Sequence, residues 1–389
     1  MHTPAPVLEP RGRRLRVLHV YRTGFPDSQG GTEEHLRTLS RGLLRRGVDV
    51  DLLFPSRQVR AVSSHLDEGV QVWRVPETVE IASCNIFFRG IAQFRRLALA
   101  ADVVHYHFPW PWGDVLHALV PAQARCRHVV TYHSDIVRQR LLALPYRPLM
   151  HRFLGSVDRI VATSQAYADS SPVLSRRRDR TCVIPLGIDS LRIPPIEPRR
   201  RERWLAEVGE GFFFFVGVLR YYKALHVLVR ASAASGLPVV IAGDGPEAAR
   251  LHALAARIGA SRVRFTGRIG DEDKWALFGL ARAFVLPSDQ RSEAFGVSLL
   301  EAMHFGLPMI TAAIGTGTGF VNVSDLTGLH VQPGDPVALA RAMERLAQDD
   351  ALRARMGVAA NERLSRCFGA DAMVDAHIGL YEELLHGRG

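Results

Sequence analysis

The sequence predicts an α/β chain of two successive domains, each built on a mainly parallel sheet. Three observations carry this. Strand-like and helix-like runs alternate along almost the whole length. The alternation stops once, in a stretch that includes Pro194, Pro195, Pro198 and the arginines 199–201, and then restarts. The length, 389 residues, exceeds one ordinary core and suits two.

In the first half, 15–21 (LRVLHVY) has the pattern of a buried strand, and 32–46 a helical one after the Gly30-Gly31 break. Further strand-like runs lie at 48–53, 70–74, 102–105, 128–133, 159–164 and 182–188, most of them separated by helical stretches. Strands that alternate with helices make a parallel sheet covered on both faces. In the second half, strands fit 212–219, 239–242, 263–266, 283–287, 308–312 and 328–331. Helices fit 224–234, 247–258, 272–280, 297–305 and 336–348, and 351–385 is helical with a break near Phe368-Gly369. The expected domains are 1–190 and 212–366, joined by a linker at 191–211 that has no apolar periodicity, with a last helical segment at 367–389.

With 47% hydrophobic and 23% charged residues, the composition is that of a globular protein. No apolar run approaches the roughly 20 residues that span a bilayer. The polar start leading into Arg11, Arg13, Arg14 and Arg16 has no secretory pattern. The expected location is therefore cytoplasmic. Cys84, Cys126, Cys182 and Cys367 are scattered, as reduced thiols are, and no clustered metal ligands are legible. The net charge of +10 is uneven: residues 1–190 carry 26 basic and 17 acidic side chains, the remainder 23 and 22. A basic first half suits an anionic partner there, a membrane surface or a lipid diphosphate. Simple solvation competes with that reading, because only Lys223 and Lys274 accompany 47 arginines, as in a GC-rich genome. Nucleic acid is not expected, since no recognition motif accompanies the charge. Around residues 86–97, Phe87, Phe88, Ile91 and Phe94 recur at near-helical spacing among arginines. They form either a membrane-facing stripe or part of the core.

Chemistry is sought on the loops that follow strands, because open α/β sheets bind ligands beyond the carboxyl ends of their strands. Glu293-Ala-Phe-Gly-Val-Ser-Leu-Leu-Glu301 follows a strand and opens a helix. Its first backbone N–H groups suit a diphosphate, and a carboxylate one turn in can accept from a ribose diol. Gly217-Val-Leu-Arg220-Tyr-Tyr-Lys223 follows the first strand of the second half, so two cations stand where a nucleoside diphosphate would leave. Gly243-Asp-Gly245-Pro246 is a turn into a helix, and Gly30-Gly31 occupies the equivalent turn of the first half. His133 ends a first-half strand, where a histidine alone is usually structural. Asp49-Val-Asp51 opens an apolar strand, and Asp271-Glu-Asp273 sits where a helix start welcomes acids, so neither is taken as a metal motif.

Five motifs in order, Gly30-Gly31-Thr-Glu33, His133, the Arg220/Lys223 loop, Gly243-Asp-Gly245-Pro246 and Glu293-x7-Glu301, resemble glycosyltransferase family 4 over essentially the whole chain. The resemblance implies a retaining enzyme of GT-B fold, two Rossmann-like domains facing a cleft. The donor nucleotide sugar would lie on the second domain and the acceptor on the first, with the final helix packing back on the first. Lys223 and an arginine would hold the diphosphate, Glu293 the transferred sugar and Glu301 the ribose. The backbone of Phe295, Gly296 and Val297 would add donor contacts, with Gly217 and Arg268 also on the donor side. The Gly30-Gly31 loop would close over the phosphates, with His133 near the sugar.

Two departures stand out. The family's arginine after the loop glycine is Val218, leaving Arg220 to serve, and the glycines after the 308–312 strand read Gly315-Thr-Gly317-Thr318. These features look like the mannosyl- and rhamnosyltransferases of bacterial O-antigen assembly. They imply a GDP-sugar donor, a lipid-linked saccharide acceptor, no cofactor, no metal, and peripheral contact with the inner membrane. The expected chemistry is front-face transfer, with the leaving diphosphate taking the acceptor proton. The alternatives are a non-hydrolysing nucleotide-sugar epimerase of the same architecture and a binding-only homologue.

Overall fold

The computed structural model describes residues 13–81, 84–137 and 140–387, so Arg11 of the basic amino terminus lies outside the described residues. The chain divides into two compact units, 1–186 with 370–389, and 187–369.

The first unit is an eight-stranded sheet. In chain order its elements are β1 (Arg16–Val20), α1 (Gly31–Arg45), β2 (Asp49–Ser56), β3 (Ser63–Asp67) and β4 (Val70–Pro76). A two-stranded ribbon, β5 (Val79–Ile81) and β6 (Cys84–Ile86), comes next. Then follow α2 (Ile91–Ala100), β7 (Val103–Phe108), α3 (Pro111–Ala118), β8 (Arg127–Tyr132), α4 (Arg140–Ser156), β9 (Arg159–Ala162), α5 (Gln165–Ser170) and β10 (Thr181–Val183). The strand order is β10-β9-β8-β7-β1-β2-β4-β3, parallel except at the β3 edge. β7 is buried at every position, as a strand covered on both faces must be. It runs on through His107 and Phe108, beyond the 102–105 that the sequence marks. The β3–β4 hairpin escapes the sequence reading because its turn residues Glu68 and Gly69, both at positive φ, do not look like a strong turn signal.

The second unit runs through α6 (Pro198–Val208), β11 (Phe212–Val216), α7 (Leu225–Ser235), β12 (Val239–Ala242), α8 (Ala248–Arg257), β13 (Val263–Gly267), α9 (Asp271–Leu280) and β14 (Ala281–Leu286). It continues with α10 (Val297–His304), β15 (Met309–Ala312), α11 (Gly317–Val321), β16 (Gly328–Val331), α12 (Pro336–Gln348) and α13 (Asp350–Cys367). Its six strands are all parallel, ordered β13-β12-β11-β14-β15-β16. Asp335 caps α12 through the Val337 and Ala338 amides (2.8 and 3.0 Å), and Asp349 caps α13 through the Leu352 amide (2.8 Å).

One expectation is corrected here, and one open reading is decided. The segment 191–211 is not a structureless linker: Pro198 opens α6, and the buried Trp204 packs it on α9, donating to Asp273 at 3.0 Å. One buried tryptophan anchors that helix without the periodicity that would have revealed it. Of the two readings of the aromatic stripe at 86–97, the core one holds for its buried rings. Phe87 and Phe94 are fully buried, and only Phe88 is exposed, edge-on to Trp112 at 5.4 Å.

The last helix, α14 (Ala370–His386), belongs to the first unit. Its Met373, Val374, Ile378 and Tyr381 join the core beneath β1, β2 and α1. The helices come close because Gly42 has no Cβ, which would stand 2.3 Å from Val374. Arg46 pairs with Asp371 (2.9 Å) and Asp375 at the rim. Phe368 accepts from the Ile188 amide at 3.0 Å, so the two ends of the second unit lie side by side.

Candidate active site

In each unit the chain leaves the central strand pair in opposite directions, and ligands favour that switch point. In the second unit it falls between β11 and β14. The loop after β11 carries Arg220 in extended conformation, a single 3-10 turn over Tyr221–Lys223, and Ala224 at φ 48. The loop after β14 carries Ser288, Asp289 and Glu293. The Asp289 amide donates to the Tyr222 carbonyl at 3.1 Å and ties the two loops together.

Lys223 and Glu293, 70 residues apart, meet there as a direct, nearly buried ion pair. Ser288 donates to the same Glu293 carboxylate at 3.0 Å. The loop after β15 completes the fixation: Thr316 donates to the Glu293 carbonyl (2.8 Å) and the Gly317 amide to the Ala294 carbonyl (2.7 Å). Burial works to lower the Lys223 pKa, but the charge of Glu293, Tyr222 and the hydrogen bond to Glu293 together hold the ammonium above the ordinary lysine value.

Gly296 takes up φ 84 to start α10, where a Cβ would meet Leu286 at 2.8 Å. The Phe295 side chain is core, edge-on to Phe368, so only its backbone is available to a ligand. Glu301, inside α10, accepts from Lys274 of α9 at 2.7 Å, and Lys274 also reaches Asp271 at 3.0 Å. Burial works against the Lys274 charge, yet these two carboxylates hold its pKa above the lysine norm. Each glutamate of the motif thus has one of the chain's two lysines. Sequence reasoning missed Lys274, although a second lysine among 47 arginines was the available signal. It also missed Ser288 and Thr316.

The remaining candidates are less tightly drawn together. Arg220 is exposed beside the Lys223 turn, and Arg268 is exposed one residue beyond β13 at the sheet edge. Gly217 turns the chain at φ 150, and Gly243 and Gly245 owe their lack of side chains to loop packing. A Cβ on Gly243 would lie 2.0 Å from the Gly217 carbonyl, and one on Gly245 would lie 2.7 Å from that of Leu219. Neither acidic motif has the form of a metal site: Asp51 accepts from Trp73 at 2.8 Å, and Asp273 holds Trp204 and Arg200.

His133, Gly30 and Gly31 lie in the first unit. Gly30 precedes α1 in extended backbone, and Glu33 clasps the β1–α1 loop through Thr23 (2.7 Å) and Ser28 (3.0 Å). His133 meets His107 at 2.9 Å. Burial, then Arg22 and His377, push its pKa down to about 3. The sequence shows no clustered metal ligands, yet the fold gathers His19, His35, His105, His107, His133 and His377 on one face of β1, β7 and β8. Only the strand period in His105-Tyr-His107 gave any sign of it.

Residues 197–363 match the family Glycosyl transferases group 1, and residues 29–192 match Glycosyltransferase Family 4. The chain is 42% identical over 376 residues to the O-antigen chain mannosyltransferase C of Escherichia coli, covering 96% of this chain and 100% of that protein. It is 44% identical over 360 residues to the D-rhamnosyltransferase WbpZ of Pseudomonas aeruginosa, covering 92% and 93%. Among solved structures, sucrose-phosphate synthase from Thermosynechococcus elongatus superposes with a TM-score of 0.79 at 21% identity, covering 96% of this chain and 100% of that one. Anabaena HepE, solved with UDP and glucose, gives 0.77 at 18%, covering 95% and 100%. These likenesses establish the GT-B fold, and none of these relatives supports the epimerase alternative. With both domain families matched in order and such identity along its full span, the chain belongs to glycosyltransferase family 4.

Proposed function

We propose that the chain transfers a mannosyl or rhamnosyl residue, with retention, from a GDP-sugar to a lipid-linked saccharide in O-antigen assembly. The observation that carries this is the Lys223–Glu293 pair at the switch point of the second unit, fixed by three strand-following loops. The names of the two relatives above support the choice of sugar and pathway.

In the free enzyme the pair neutralises itself, so neither charge is buried alone. An arriving diphosphate draws the Lys223 ammonium to its oxygens, with Arg220 beside it, and frees the Glu293 carboxylate for hydroxyls of the sugar. As the glycosidic bond breaks, negative charge grows on the diphosphate where Lys223 stands. Fixed charges of this kind are worth roughly 3–4 kcal/mol each. The leaving phosphate oxygen takes the acceptor proton on the face it departs from. The backbone amides opening α10 supply further donors, and Glu301, held by Lys274, receives the ribose. Gly30 and Gly31 are assigned to the donor phosphates and His133 to the transferred sugar.

Charge at the diphosphate comes from Lys223 and Arg220, so transfer needs no divalent ion there. Activity should persist in excess EDTA; a loss restored by a divalent ion would refute this. The basic first domain docks on the anionic cytoplasmic face of the inner membrane through solvated arginines rather than the 86–97 stripe. Failure to co-sediment with anionic liposomes at low salt contradicts this.

The deciding experiment incubates the chain with GDP-mannose or GDP-rhamnose, alone and with acceptor. An α-linked product that forms only with acceptor supports the proposal. Isomerised donor without acceptor, or inversion at the anomeric carbon, overturns it.

A further inference from the structure

The excess positive charge of the first half is concentrated in one stretch. From the start of α4 to the end of β10 the chain has eight arginines and three aspartates, more than half of the excess over residues 1–190. Two parts of that stretch lie side by side: α4, and the 3-10 turns Leu174–Arg176 and Arg178–Arg180 that lead into β10. Arg177 fastens them by donating to His151 Nδ1 at 2.9 Å, and Arg180 donates to the Gly155 carbonyl at 2.7 Å. His151 sits within this charge: burial, then Arg177, Arg176 and Arg147, lower its pKa.

The outer face of α4 is sorted by helical period. Leu144, Arg147, Pro148 and Arg152 stand at i, i+3, i+4 and i+8 and are exposed, whereas Met150, Phe153 and Leu154 are buried. Leu144 is 51% exposed, an apolar side chain set beside guanidinium groups. Arg147, Arg152 and Arg176 form no ion pair among the described residues. Arg178 meets Asp169 at 3.6 Å, and Arg180 meets Asp179 at 3.7 Å, all four in solvent. Two exposed carboxylates cannot cancel the arginines of the patch.

Given the membrane docking read from the first domain's charge, on which this inference rests, we propose that the contact face is the outer side of α4 together with the 174–180 turns.

The chemistry of the face fits an anionic bilayer. Arginine stems reach lipid phosphates while their methylenes lie along apolar surface, and an exposed leucine on the same helix face enters between headgroups. Anionic lipid attracts each arginine near its surface, and the attraction fades within a Debye length, so the charges of one face act together. Nucleic acid fits less well, because no aromatic ring of the patch is exposed among the described residues: Tyr146 turns to Asp114, and Phe153 is core. The helix also begins shortly after His133, on the side where the strands of the first unit end.

The test is co-sedimentation of the full-length chain with equimolar phosphatidylglycerol–phosphatidylcholine vesicles at low salt, with pure phosphatidylcholine vesicles alongside. The unaltered chain should bind the anionic vesicles, come off in high salt and ignore the neutral ones. A fourfold variant, Arg147→Gln, Arg152→Gln, Arg176→Gln and Arg178→Gln, should bind about 10²–10³-fold more weakly. Removing as much charge from the second unit, by Arg250→Gln, Arg257→Gln, Arg341→Gln and Arg355→Gln, should change binding by less than about threefold. Tm shows that each variant is folded. If the first does not fold, hydrogen exchange of the unaltered chain on vesicles takes its place, with slowing expected in α4 and 174–180. Unchanged binding by the folded first variant, or slowing confined to other segments, overturns the assignment of this face and leaves the docking itself standing. No binding by the unaltered chain overturns both. Neither readout uses a donor, so the transferase assignment is independent of the outcome.

Discussion

Acidification should unfold the first unit between about pH 6.5 and 5. An unfolded histidine titrates near 6.5, whereas burial pushes His19 and His133 down to about 3 and His377 to about 4. Burial likewise holds His35, His105 and His107 well below the ordinary value. At pH 5 the folded chain therefore keeps these six rings neutral while the unfolded chain protonates them. Their contribution is complete above the unfolded value and is lost as the pH falls through it towards the folded values. At pH 5 the loss is about 2 kcal/mol for each of His19, His133 and His377, roughly 6 kcal/mol for the three and a large part of an ordinary domain's stability, and His35, His105 and His107 act in the same direction. Hydrogen exchange resolved by mass spectrometry separates β1, β7 and α14 from the second unit. Their opening free energy, corrected for intrinsic exchange, should collapse on acidification. The same value at about pH 5 as at neutrality would refute the reasoning. His377→Leu removes one proton from the count and should flatten the pH dependence by about 1.4 kcal/mol per pH unit.

Further outcomes follow from the second unit. Lys274→Ala leaves the Glu301 carboxylate nearly buried without its partner, which should cost about 3–5 kcal/mol. Calorimetry should show the lower Tm, and kinetics a raised KM for the donor. Gly243→Ala sets a Cβ against the Gly217 carbonyl and should cost more than about 2 kcal/mol, measured by urea unfolding. Trp204→Ala should cost about 3–5 kcal/mol if α6 is an integral part of the second unit, and almost nothing if 191–211 were a free linker.

Much of the fold was legible because buried parallel strands leave an unmistakable mark. Runs such as Phe212–Val216 and Val239–Ala242 have no polar side to confuse the pattern. The β3–β4 hairpin and α6 were not legible. Their stability comes from edge pairing and from one tryptophan, and neither repeats along the sequence. At the site, Glu293 and Lys223 were found because their loops follow strands. Lys274 was not found, because a lysine in the first turn of an acidic helix looks like local charge balance. Its partner Glu301 lies 27 residues away, and only the packing of α9 against α10 brings the two together. The histidine cluster was hidden for the same reason. It draws on β1, α1, β7, β8 and α14, so no stretch of sequence contains it. The glycines taught the opposite lesson: Gly243 and Gly245 are where the motif puts them, but their missing side chains make room for a neighbouring loop.

The most direct measurement is the turnover number of Lys223→Ala at saturating nucleotide-sugar donor, with Tm recorded to show that the variant is folded. A fall of about 10²–10³ is predicted if the ammonium stabilises the departing diphosphate. A folded variant that turns over at the parent rate would show that this charge does not act on the leaving group.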